Sequence, residues 1–219
     1  GLAYGLCYYA YLPARLTPLI LILFGLYLYV TDRGSALLAG GGWFAIGTLI
    51  ILSPLVIYAV AHWDVVVGRP LQVSAFNPLI SGGDPWATLG PQLIRTLGMF
   101  FIRGDTIPRH NVPGRPIFDP LMGAAMVVGV WQAIRRARKQ AASAFTLIWV
   151  GLMLAPTWLA EDAPHFLRAV GILPLLVALP ALGLDALMGW LRRRVQRRWA
   201  LGMTCVILSA SLAQTTGRY

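Results

Sequence analysis

The chain has 219 residues, of which 58% are hydrophobic and 12% are charged. A soluble domain carries about 25% charged residues, so the composition argues against one and favours a chain whose solvent is lipid. The formal net charge of +10 would suggest nucleic-acid binding in a soluble protein, but more than half of the Lys and Arg residues lie in short loops between apolar runs. These runs are too long and continuous for barrel strands, which leaves helices as the spanning elements.

The apolar runs predict an all-α fold, a polytopic transmembrane helical bundle of about six spans plus a partial one at the N-terminus. Residues 1–12 are too short to cross a hydrocarbon core of about 30 Å, and we expect them to be the end of a helix. A turn is expected at 31–34. Because both ends of the chain adjoin apolar segments, we expect a single transmembrane domain that is the C-terminal part of a larger protein. The predicted spans are 16–30, 36–60, 117–134, 141–160, 169–191 and 199–213.

The segment 61–116 is longer and more polar than the other connections, and it contains one predicted amphipathic external helix. Asp84 followed by Pro85 is typical of a helix N-terminus, and Gly104 is a candidate for the helix end. Such a helix either lies in the membrane interface or packs on the outer ends of the spans, and both alternatives stay open. Its apolar face is predicted to be Leu89, Leu93, Leu97 and Phe100.

Basic residues alternate along the chain in a way that predicts its orientation. They cluster in 135–140 and 192–198, and Arg33 lies in the turn between the first two full spans. Because cytoplasmic loops are enriched in Lys and Arg, we expect these three loops on the cytoplasmic side. The segments 61–116 and 161–168 are then extracytoplasmic.

Two polar clusters on the predicted outer side could form a site. Arg15 lies between two apolar runs, where it either snorkels to the interface or directs a cation into the site. The loop 103–119 (RGDTIPRHNVPGRPIFD) is rich in Pro and Gly, which predicts a defined, non-helical structure. It carries Arg109, His110 and Arg115, and these residue types suit phosphate recognition and chemistry near neutral pH. A rigid connector is the alternative.

A third cluster lies in 161–168, where Asp162 is expected to cap the span that follows. His165 and Arg168 are three positions apart and share a helix face, at a helix N-terminus that favours phosphate. An Arg in an apolar run costs about 2.5–3.5 kcal/mol at the bilayer centre and less near the interface. Arg168 is therefore expected to have an anionic ligand, or Glu161 or Asp162 as an ion-pair partner.

The remaining patterns predict no cofactor. There is no nucleophile motif, no Gly-rich phosphate loop and no zinc-ligand spacing, and nothing indicates a divalent metal. Cys7 and Cys205 lie in separate apolar runs, and we expect both to be buried apolar side chains.

Three segments together resemble a known family. They are 9–15 (YAYLPAR), 103–119 and 164–174 (PHFLRAVGILP), and they are similar in order and spacing to bacterial members of the dolichyl-phosphate-mannose protein mannosyltransferase-like family. These are membrane glycosyltransferases of the GT-C architecture, and the similarity covers most of the chain. It implies a transferase of the bacterial plasma membrane that uses a polyprenyl-phosphate-linked sugar on the extracytoplasmic side.

The resemblance also implies roles for particular residues. The family's catalytic carboxylate lies in a first external loop that no residue here matches, so the catalytic residue is unassigned and this chain alone is expected to be inactive. The bilayer and the donor are the expected partners, with the acceptor unassigned and no nucleic acid. A transporter or permease, which would favour ionisable residues near span midpoints, and a non-catalytic scaffold are the alternatives. Implied lipid-phosphate or sugar contacts are Arg15, Arg109, His110, Arg115, His165 and Arg168.

Overall fold

The computed structural model describes residues 1–10, 12–31 and 35–217. Within these ranges helices are the regular structure, joined by loops and one isolated antiparallel bridge between Ser74 and Ala160, so the all-α prediction is confirmed. The predicted turn at 31–34, apart from Thr31, lies outside the described residues, and so do Arg33 and Tyr11 of the first resemblance segment. Contacts divide the chain into two compact units, residues 1–91 with 159–161 and residues 92–158 with 162–219.

Unit 1 is built around two helices that pack closely. An added Cβ at Gly5 would lie 2.7 Å from Cβ of Ile51, and the Tyr9 hydroxyl donates to the Ile51 carbonyl at 2.7 Å. The small residue therefore lets the helix Leu2–Ala10 lie directly against the helix Ser35–Ala61. Its helices are α1 Leu2–Ala10, a 3-10 turn Leu12–Leu16, α2 Thr17–Val30, α3 Ser35–Ala61, α4 Trp63–Gln72 and α5 Pro78–Ser81.

Helix α6, Pro85–Gly98, starts where the sequence predicts it, because Asp84 accepts the backbone N–H of Ala87 at 3.0 Å. It ends at Gly98 rather than Gly104. Beyond it, the carbonyls of Met99 and Phe100 accept the N–H groups of 117 and 118 and are no longer available to continue the helix.

The predicted apolar face of α6 is wrong in part. Leu89 and Phe100 are buried, but Leu93 is 40% exposed and Leu97 50%. Gln92 and Thr96 take the buried side instead. The helix thus presents apolar side chains outward, which is the arrangement that a lipid environment favours.

Unit 2 contains the remaining helices, and the helices Pro120–Ala137 and Ala178–Arg192 cross each other closely. An added Cβ at Gly129 would lie 1.7 Å from the Leu179 carbonyl oxygen, and one at Gly183 would lie 1.9 Å from that of Ala125. Small residues at such crossings are typical of membrane helices. The helices are α7 Pro120–Ala137, α8 Ala141–Met153, α9 Ala155–Trp158, α10 Phe166–Ala169, a 3-10 turn Val170–Ile172, α11 Leu173–Leu176, α12 Ala178–Arg192 and α13 Arg197–Thr216.

By length and composition, three helical segments in the described part of the chain can cross a membrane, or four if one bent pair is counted as a span. The three are Pro13–Val30, Gly40–Ala61 and Ala141–Trp158. The bent pair joins Phe166–Leu176 to Ala178–Arg192 at 41°. The chain is therefore an integral membrane protein by the apolarity of its helices.

The predicted number of about six spans plus a partial one is too high by this measure. The predicted spans 117–134 and 199–213 do form helices, α7 and α13, but neither is apolar enough along its length. Arg135 and Arg136 end α7, and Thr, Ser and Gln residues interrupt α13. The cysteine prediction is also wrong, because Cys7 and Cys205 are both exposed.

Candidate functional site

The loop 104–114 is closed at its base by backbone hydrogen bonds. The Gly104 N–H donates to the Gly114 carbonyl at 3.1 Å, and the Gly114 N–H donates to the Asp105 carbonyl at 2.8 Å. Gly114 has a positive φ of 74°, which favours glycine. Gly104 has no room for a side chain, since an added Cβ would lie 1.9 Å from the Arg115 carbonyl oxygen. The two glycines therefore fix where the loop begins and ends.

Asp105 connects this loop to the start of α10. Its Oδ1 accepts the Ile107 N–H at 2.8 Å, while Oδ2 accepts the Phe166 N–H at 2.8 Å and lies 2.7 Å from His110 Nδ1. The residue is 1% exposed. Burial opposes ionisation of Asp105, but the hydrogen bonds from Ile107, Phe166 and His110 outweigh it and lower its pKa. Asp105 is thus an ionised carboxylate whose lone pairs are largely occupied.

His165 caps α10. Its Nδ1 accepts the Arg168 N–H at 3.4 Å, and its own backbone N–H donates to the buried Thr157 hydroxyl at 2.8 Å. The prediction that Asp162 caps this helix is wrong, because Asp162 is exposed and lies four residues before the helix begins at Phe166. Burial lowers the pKa of His165, and the positive charge of Arg168 lowers it further. His165 is therefore neutral at pH 7.

His110 lies between the two segments and beside Arg109. Because the ionised Asp105 can only accept, His110 Nδ1 carries the hydrogen of their 2.7 Å contact. The Nε–H of Arg109 donates to His110 Nε2 at 3.2 Å. The rings of His110 and His165 have centroids 4.8 Å apart. The loop and α10 therefore bring two imidazoles, one carboxylate and the Arg109 guanidinium together.

A cavity of about 430 Å³ adjoins this cluster. Its polar end is formed by Arg109, His110 and Asn111, which also line an open concavity of the loop itself, residues 108–113. The rest of the wall is apolar and follows the bent helix pair toward Leu176. The apolar lining residues are Ile117, Phe166, Leu167, Ala169, Val170, Ile172, Leu173 and Leu176.

Asp105, His110 and His165 are close enough to hold a metal ion, since their potential ligand atoms lie within 4.8 Å of one another. Asp105 Oδ2 and His110 Nδ1 bond to each other, His165 Nδ1 accepts the Arg168 N–H, and Arg109 directs a positive group at His110 Nε2. We assign no metal to this network.

The sequence-predicted site residues fall into two groups. Arg109, His110, His165 and Arg168 lie in one cluster. Arg115 donates instead to the Thr215 carbonyl at the end of α13, at 3.3 Å. Arg15 is an exposed residue of unit 1.

The predicted phosphate site at a helix N-terminus does not form in the expected way. Helix α10 has only four residues, and the N–H groups of Phe166 and Arg168 are already bound by Asp105 and His165. Asp105 and Thr157 were not predicted as site residues. An Asp two positions before Ile107 suits an Asx turn, and this local signal could have predicted a structural role for Asp105 in the loop. No local sequence signal predicts that Thr157 belongs to the site.

The fold and the site define a helical integral membrane protein with a basic and imidazole cluster at one end of an apolar cavity. No family model matches the chain, and neither a curated protein nor a solved structure matches it. The resemblance to the mannosyltransferase-like family therefore stays a prediction from the residues alone.

Proposed function

We propose that the chain is part of a membrane glycosyltransferase that takes its sugar from a polyprenyl-phosphate-linked donor. The observation that carries the proposal is the junction of two segments that resemble the family, 103–119 and 164–174. Although they are distant in sequence, the hydrogen bond from Phe166 to Asp105 joins them, and together they line one cavity. That cavity is apolar along most of its wall and basic at one end, which suits an amphiphile with one phosphate.

The apolar wall of the cavity is the proposed binding surface for the lipid tail of the donor. Leu173 and Leu176 lie about 12 and about 17 Å along the helical segment from His165 at 1.5 Å per residue, a distance that accommodates the first part of a polyprenyl chain. Each buried methylene contributes about 0.8 kcal/mol, so even a short stretch of tail adds several kcal/mol of binding free energy. A polar substrate without a tail would gain nothing from this wall.

The basic end of the cavity is the proposed binding site for the phosphate of the donor. Arg109 lines the cavity beside His110 and Asn111, and a guanidinium binds a phosphate through two charge-assisted hydrogen bonds. The same three residues also line the open concavity of the loop. We place the sugar there, so that the phosphate lies between tail and sugar as it does in the donor.

The catalytic base is not assigned to a residue. Asp105 already accepts three hydrogen bonds. Asp119 accepts the N–H groups of Leu121 and Met122 and the hydroxyl of Ser211, and these bonds lower its pKa against the opposing effect of burial. Both carboxylates are thereby held as structural acceptors, which makes them poor general bases.

The contacts of the site also support an orientation of unit 2 in the membrane, which is part of the proposal. The Asp105–Phe166 bond places the loop before α7 and the start of α10 at the same end, and α8 must return to that end from the loop 138–140. We therefore propose that α7 crosses together with α8, although it is less apolar than the three helical segments that can cross by length and composition. Its 18 residues cover about 27 Å. We place 104–116 and 161–168 outside a bacterial plasma membrane, and the basic loops 135–140 and 192–198 inside.

The tail assignment is tested by filling the groove. Leu173 is 56% exposed and lines the cavity, whereas Val177 is 67% exposed and does not. In neutral detergent, Leu173→Trp should weaken binding of a polyprenyl phosphate about tenfold or more, and the matched Val177→Trp should leave it unchanged. Equal affinities for the two variants would contradict the proposed groove.

The phosphate assignment has its own matched pair. Arg109→Gln removes the cation at the cavity, and Arg103→Gln removes an exposed cation of the same loop that does not line it. Only the first should reduce affinity for polyprenyl phosphate toward that of the uncharged polyprenol.

Transfer is then measured as release of polyprenyl phosphate from a labelled donor by membranes that contain the protein. Donor binding that is followed by transport across vesicles without release would make the protein a transporter.

A further inference from the structure

The hydrogen bonds of His110 define its charge in the ligand-free site. Nδ1 donates to the ionised Asp105 at 2.7 Å, and Nε2 accepts the Nε–H of Arg109 at 3.2 Å. A ring nitrogen that accepts a hydrogen bond carries a lone pair and no proton. His110 is therefore neutral in this state, with its single hydrogen on Nδ1.

This arrangement does not suit an anion. His110 and Arg109 are the cavity residues that offer imidazole and guanidinium groups, yet Nε2 of a neutral His110 would direct its lone pair at a phosphate oxygen. Arg109 in turn uses one of its donors on His110 rather than on a ligand. Both groups become donors to the same phosphate only if Nε2 acquires a hydrogen and the Arg109–His110 bond breaks.

We propose that His110 takes up one proton at Nε2 when the cavity binds a phosphate-bearing amphiphile. The proton comes from solvent, Nδ1 keeps its hydrogen and its bond to Asp105, and no covalent bond between heavy atoms changes. The inference rests on the proposed function, since it concerns the same phosphate subsite. It makes Asp105 a positioning residue that holds the ring so that only Nε2 exchanges protons with the site.

Charges of both signs surround His110 in the empty site. In the loop, the Asp105 carboxylate stabilises the positive charge of a protonated ring, while the Arg109 guanidinium disfavours it. From the other segment, His165 lies at a ring distance of 4.8 Å with Arg168 and Asp162 acting on it electrostatically. The Arg109 guanidinium thus disfavours a positive charge on His110 in the empty site, and a bound phosphate would offset it and add a second negative charge.

The consequence is a pH dependence of affinity. Because binding takes up a proton, the affinity should fall as the pH rises. The probe should be an alkyl methyl phosphate, a phosphodiester whose single charge is constant between about pH 5 and about pH 9. Its binding to the 219-residue chain in a neutral detergent is measured by calorimetry, with two buffers of different ionisation enthalpy to count the protons.

A matched pair of variants assigns the proton. His110→Asn keeps a donor in the place of Nδ1 for Asp105 and removes Nε2. His165→Asn keeps an acceptor for the Arg168 N–H and removes the other imidazole. Both variants preserve the hydrogen bonds that hold the segments together, and circular dichroism and thermal melts confirm that each is folded.

We expect about one proton bound per ligand in the wild type and in His165→Asn, and none in His110→Asn, whose affinity is lower and independent of pH. Binding of the probe without proton uptake would overturn this inference and leave the proposed function standing. Loss of uptake in His165→Asn alone would move the proton to His165 and overturn the assignment. Absence of binding at every pH would contradict the proposed phosphate site and this inference together.

Discussion

Asp105 accepts the backbone N–H of Phe166 at 2.8 Å across 61 positions of sequence. This bond joins the loop 104–114 to the start of α10, and it is made by a residue that is 1% exposed. The carboxylate thus substitutes for the backbone acceptors that the first N–H groups of a helix lack. The geometry of the candidate site depends on it.

Replacing Asp105 by Asn should therefore destabilise unit 2 by about 2 kcal/mol. The Asn amide group replaces one carboxylate oxygen by an NH2 donor, so at least one of the three N–H groups that Asp105 accepts is left without an acceptor. The measurement is thermal unfolding in detergent. Asp162→Asn is the control, since Asp162 is exposed and has a positive φ of 62° that Asn tolerates. Equal stability of the two variants would show that Asp105 does not hold the segments together.

The same residue predicts how stability depends on pH. The folded-state pKa of Asp105 lies below its ordinary value, as burial is outweighed by hydrogen bonds. Its contribution is complete above the unfolded pKa of about 3.9 and is lost as the pH falls through the lower folded value. Unfolding measured from pH 6 to pH 3 should show a steeper loss in the wild type than in Asp105→Asn, and parallel curves would contradict this account.

Sequence reasoning was most successful where the signal is local. The Pro and Gly content of 103–119 predicted a defined loop, and Asp84 with Pro85 predicted the start of α6. It failed where tertiary contacts decide, because Gln92 and Thr96 of α6 are buried while Leu93 and Leu97 are exposed. Nothing in the local pattern shows that Asp105 pairs with Phe166.

The close crossing of α7 and α12 predicts an asymmetric response to glycine replacement. Gly129→Ala places a methyl group against the Leu179 carbonyl, whereas Gly151→Ala in α8 meets nothing within 4 Å. The first should lower the melting temperature clearly, and the second should be neutral or stabilise by up to about 1 kcal/mol through helix propensity. Similar behaviour of both variants would mean that the two helices do not pack at this distance.

The proposed orientation is tested with single cysteines in a Cys7→Ala, Cys205→Ala background, since both natural cysteines are exposed. Thr106 and Gln140 are exposed, at the outer loop and at the basic loop respectively. An impermeant thiol reagent should label Thr106→Cys in intact cells and Gln140→Cys only after lysis. Labelling of both from the same side would contradict the crossing of α7.

The electrostatic coupling of Arg168 to His165 is measurable by NMR. Burial is the larger cause that lowers the His165 pKa, and the charge of Arg168 adds to it. Arg168→Gln should therefore raise the His165 pKa toward its ordinary value, while Arg168→Lys keeps the charge and should change it little. If both variants behave like the wild type, Arg168 does not act on this imidazole.

The most direct test of the central claim is photo-cross-linking of a polyprenyl phosphate that carries a diazirine in its first isoprene units. Mass spectrometry of the labelled chain should place the adducts on the cavity wall in 166–176, and unlabelled polyprenyl phosphate should suppress them while polyprenol, which lacks the phosphate, should not. Adducts spread over the exposed apolar surfaces of α3 and α13, with no effect of the competitor, would show that the cavity is not a lipid-phosphate site.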